Sequence, residues 1–187
     1  ATISNIILVC AVDLILIGTA LVLSFVSCIS LCVLSQERSS GAEAAIKITL
    51  VSAAILSVVG FAAALLYSSQ LSTNFAAIAA ELQTHSALGT LVFFLLALAV
   101  AQITPFAPLH GVRVDVLQGS PFFVSSFVAS GFFLCGSVFC LRLFSGLDTL
   151  WLEELRFPML CIISIGLFVP AIAASDQSEV RRMVAFL

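Results

Sequence analysis

Five long apolar runs, separated by shorter polar breaks, organise this chain. The runs cover residues 6–34, 46–67, 87–109, 121–141 and 157–174, and the breaks fall at 35–43, 68–86, 111–120, 144–156 and 175–182. A hydrocarbon layer about 30 Å thick needs roughly 20 apolar residues per helix, so each run predicts a membrane span. The first run is longer and reads as the stub of one span followed by a second beginning near Asp13. A transmembrane β-barrel shows segments of alternating residues about ten long, whereas Leu91-Val92-Phe93-Phe94-Leu95-Leu96-Ala97-Leu98-Ala99-Val100 is apolar on every side. The expectation is all-α: a polytopic transmembrane helix bundle of about five spans, forming a single transmembrane domain over residues 1–187.

Composition reinforces this reading. Only 9% of residues are charged and 61% are hydrophobic, against about 25% charged in globular domains. Polar groups at membrane depth therefore become functional candidates by default. A net charge of -3 without a Lys/Arg cluster leaves no nucleic-acid surface. Cys10, Cys28, Cys32, Cys135, Cys140 and Cys161 all fall inside apolar runs, with no histidine at metal-ligand spacing. They read as small buried hydrophobes, and no metal site is expected.

If one span precedes the first break, successive breaks alternate sides. Arg38, Lys47, Arg113, Arg181 and Arg182 then share one side, and Arg142 and Arg156 the other. Five against two assigns the first set to the matrix or cytoplasmic side. Ser39, Ser40 and Gly41 read as a turn and helix start, with Glu43 near the positive end of the helix dipole. Lys47 lies one turn inside the membrane edge and has two readings, a snorkelling side chain or a proton-path group. Trp151, Glu153, Glu154 and Arg156 read as an interfacial anchor for the last span. Pro105 and Pro108 remove backbone donors near the end of the third run, so the helix is expected to kink or break there. Unpaired backbone at that depth needs protein or a wet cavity around it. His110, just beyond, is a candidate proton-conducting residue, or else a satisfied structural histidine.

Four ordered blocks carry a resemblance. They are Glu43-Ala44-Ala45-Ile46-Lys47; Leu65-Leu66-Tyr67 with Ser72-Thr73-Asn74-Phe75; Pro108-Leu109-His110 with Asp115-Val116-Leu117-Gln118-Gly119-Ser120-Pro121; and Gln177-Ser178-Glu179-Val180-Arg181-Arg182-Met183-Val184-Ala185-Phe186. Together they resemble the subunit 2 family of respiratory NADH:ubiquinone oxidoreductase (complex I), whose members are antiporter-like membrane subunits. The resemblance implies inverted helix repeats, each with one broken helix, of which this chain would cover the first. It also implies a split or truncated subunit, its second repeat supplied by a companion chain.

The same resemblance implies three charges along the membrane midplane, a glutamate and two lysines. Counting from the matched blocks places them at Val22, Ile103 and Phe133, all apolar here. Joint loss is physically coherent, because removing one partner alone leaves an uncompensated buried charge costing about 3 to 5 kcal/mol. The expected function is thus a structural part of the proton-translocating membrane arm of an NADH:ubiquinone reductase, with a degenerate proton path and no catalytic residue in this chain. Alternatives are a retained matrix-side half-channel through Lys47, His110 or Asp13, a subunit of a cation/proton antiporter, or a stand-alone structural membrane protein. The chain has no Gly-rich dinucleotide loop in a βαβ context and no cluster-type cysteine spacing. FMN, iron-sulfur clusters and ubiquinone are accordingly expected in other subunits, while bound lipid is expected at the surface. Expected partners are other membrane-arm subunits, the companion chain and membrane lipids; the expected location is the mitochondrial inner membrane, with a bacterial plasma membrane as alternative.

Overall fold

A computed structural model of the chain describes residues 2–34, 39–83, 87–104, 122–145 and 149–177. Seven helices occupy them: α1 (Thr2–Cys10), α2 (Leu14–Leu34), α3 (Ser39–Gln70), α4 (Phe75–Gln83), α5 (Ala87–Ile103), α6 (Phe122–Ser145) and α7 (Thr149–Ser175). Among the described residues, three segments are long and apolar enough to cross a membrane, Leu14–Val33, Gly41–Gln70 and Ser125–Phe144, and Ala87–Ile103 and Ser164–Ser175 are shorter apolar segments. No strand occurs among the described residues, where Asp13 and Asn74 form one isolated antiparallel bridge.

The first apolar run divides where it was expected to. Ala11, Val12 and Asp13 separate α1 from α2, and the Asp13 carbonyl accepts the Ile17 N–H at 3.1 Å, which puts Asp13 at the N-cap of α2. An acidic residue is favourable at that end of the helix dipole. The freed backbone pairs across the bundle: Leu14 N–H donates to Thr73 O at 2.9 Å and Phe75 N–H to Val12 O at 3.3 Å. Asn74 also starts α4, since its side-chain oxygen accepts the Ala76 N–H at 3.3 Å and its carbonyl the Ala77 N–H at 3.0 Å. The Ser72-Thr73-Asn74-Phe75 block is therefore a cap and a bridge at once.

The polar break at 68–86 is shorter than expected. Helix α3 continues to Gln70, and α4 lies inside the remainder. Leu71, with φ 51°, closes α3 in the left-handed region that favours glycine. The Trp151 to Arg156 stretch continues into the last span as one helix, α7.

Helices α2, α3 and α5 pack in sequence, and α6 packs against α5, α1 and α2. The interior is filled by Leu14, Ile17, Leu21, Ile55, Leu66, Phe93, Leu96 and Phe139. In lipid, apolar burial gives little drive for association, so close packing at small residues matters. Ala20, Ala62 and Ala99 are all fully buried at the contacts. Edge-to-face ring pairs, Phe75 with Phe139 and Phe93 with Phe144, tie α4 and α5 to α6. Helix α7 lies at the periphery, with Phe157, Phe168 and Ile172 exposed and Pro170 and Ala174 buried.

Candidate functional site at the membrane midplane

Ser24 lies ten residues into α2, about 15 Å along the axis, or half the thickness of a hydrocarbon core. At that depth it joins three helices. Its hydroxyl shares a hydrogen bond of 2.6 Å with Ser4 Oγ and donates to Asn5 Oδ1 at 3.4 Å. Cys135 Sγ of α6 donates to the same Asn5 oxygen at 2.9 Å. Ser4, Ser24 and Cys135 are all more than nine-tenths buried. A cavity of about 10 Å³ adjoins this node, bounded by Asn5, Ser24, Cys28, Phe127, Gly131 and Cys135, room for one water at most. The node is neutral. Hydroxyl and thiol groups can turn their hydrogen bonds, but they offer no carboxylate or ammonium that would store a proton or its charge.

Around the node, the positions where the resemblance implied charges are dispersed. Val22 is 41% exposed on the outward side of α2, whereas Ile103 is 2% exposed at the end of α5. At Ile103, α5 packs closely on α6 through Gly136. A Cβ on Gly136 would press into the Thr104 methyl and lie 3.3 Å from Ile103 Cγ2. Thr104 closes the last turn of α5 through Thr104 Oγ1 to Val100 O at 2.7 Å. Gln102 Oε1, beside it, is buried with no hydrogen-bond partner among the described residues. Phe133 lies within α6, its side chain outside the described set, and Pro105, Pro108 and His110 are outside the described residues altogether. Helix α5 stops at Ile103, two residues short of Pro105.

Lys47 pairs with Glu43 one turn earlier on α3, at 2.8 Å. Such a pair is worth about 0.3 to 0.5 kcal/mol and gives Lys47 a local partner. Asp13 sits at the opposite end of the α2/α3 pair, beside Asn74. Lys47 to Gln70 spans about 35 Å of helix, so the structure does not bring Lys47 and Asp13 together.

Sequence reasoning missed Glu81. This α4 carboxylate is 7% exposed and accepts a hydrogen bond from Gln70 Nε2 at the end of α3. Gly89 lets α5 close over it: a Cβ there would lie 2.8 Å from Glu81 O and 3.0 Å from Glu81 Cγ. The cysteines serve mostly as packing groups, Cys28 and Cys32 lying against Ala44, Ala45 and Ile48, while Cys10 and Cys161 are exposed. Among the described residues no three metal-ligating side chains converge.

Membrane-length helices closed around neutral hydrogen-bonding groups define a polytopic α-helical membrane protein. Residues 11–186 match the family described as NADH:quinone oxidoreductase/Mrp antiporter, transmembrane, and the chain belongs to that family. NAD(P)H-quinone oxidoreductase subunit 2 of Synechococcus sp. (strain WH7803) is 30% identical over 191 residues, covering 100% of this chain and 36% of the relative. The protein of the same name from Prochlorococcus marinus (strain NATL2A) is 32% identical over 181 residues, covering 90% and 34%. The chain thus spans about a third of the length of these relatives. A chain of respiratory complex I from Thermus thermophilus superposes with a TM-score of 0.80 at 24% identity, over 98% of this chain and 39% of that one. The archaeal membrane-bound sulfane sulfur reductase gives 0.81 at 17% identity, over 94% and 36%. At these identities the likeness is one of fold.

Proposed function

We propose that this chain is an antiporter-like repeat of a subunit 2 in the membrane arm of an NAD(P)H-quinone oxidoreductase, and that it serves assembly rather than proton carriage. The observation carrying this reading is Ile103, an isoleucine 2% exposed where the family pattern calls for a lysine, in a midplane whose polar groups are neutral. A proton path needs groups that change protonation state along its length, and the described midplane supplies none. What remains is a bundle with complementary packing faces. The proposal places NAD(P)H oxidation, FMN, iron-sulfur clusters and quinone in other subunits, and a further polypeptide segment in the position of the second repeat. Cyanobacterial relatives favour a bacterial-type membrane over the mitochondrial inner membrane.

The test is co-migration. An epitope on this chain should run with NADH dehydrogenase activity on a native gel of solubilised membranes, and its depletion should remove the fully assembled species. Migration alone, or with a cation/proton antiporter lacking that activity, would contradict the proposal. The alternative of a half-channel through Lys47 and His110 rests on two ionisable side chains. Lys47 already has an acidic partner on its own helix.

A further inference from the structure

We draw no further inference here: the strongest candidate, the apolar cleft of about 230 Å³ at the seam between α1 and α6, is walled by Ile6, Val9, Leu134 and Val138, and nothing in the structure shows what covers it.

Discussion

The midplane and the membrane rims of this bundle solve the burial of polar groups in opposite ways. At the rims, charge is kept: Glu43 pairs with Lys47, Glu81 is held by Gln70 and Arg142 holds the end of α1. At the midplane, Ser4, Asn5, Ser24 and Cys135 exchange neutral hydrogen bonds, and Ile103 is packed against α6. The difference teaches what each layer is for. Exposed Glu43 and partly exposed Lys47 can reach headgroups or water and are retained at little cost. Buried Glu81 is instead satisfied by the Gln70 amide, and a charge at the centre persists only where function demands it. Here the centre is built as packing.

Breaking that contrast should be hardest at Ile103. Ile103→Lys places an ammonium in a contact with no described counter-charge and should destabilise the bundle by about 3 kcal/mol or more, read as loss of the folded chain from membranes. If the Ile103→Lys chain accumulates normally, the centre is not committed to apolar packing. Gly89→Ala attacks the rim, driving a Cβ into Glu81 O and Cγ. Overpacking of this kind costs about 1 to 3 kcal/mol and should lower the thermal unfolding midpoint of the detergent-solubilised protein. Ser24→Ala removes the hub of the midplane node and should cost about 1 to 2 kcal/mol. In combination with Ser4→Ala the loss should be smaller than the sum, because the two hydroxyls share one bond; strict additivity would show that the node is not coupled. The smallest effect is a gain. Leu71→Gly relieves a left-handed leucine that is 77% exposed and should stabilise by up to about 1 kcal/mol in the same unfolding assay.

How far the sequence could be read follows the same contrast. Spans were legible because a continuous apolar run has one structural outcome in a bilayer, and the division at Asp13 was legible because an acidic residue interrupts such a run. Helix α4 was missed. The Ser, Thr and Asn before it read as loop, although Asn74 is also the N-cap that starts it. Glu81 was missed because an acid inside a polar break looks solvated until Gly89 brings α5 over it. The midplane node joins residues 19, 111 and 130 positions apart, and one sequence contains no signal for such pairs. Counting names Val22, Ile103 and Phe133 as the implied positions, but cannot say which faces inward, since that depends on helix rotation. The segment with Pro105, Pro108 and His110, prominent in the sequence, lies outside the described residues.

The central claim is that this repeat holds the membrane arm together without carrying protons through its own ionisable groups. Asp13→Asn, Lys47→Met and His110→Phe introduced together would remove every group proposed for a residual path, and asparagine preserves the cap at the start of α2. Protons translocated per NADH oxidised by the assembled enzyme in sealed vesicles should equal the unmodified value. A clear drop in that ratio, with assembly intact, would contradict the account.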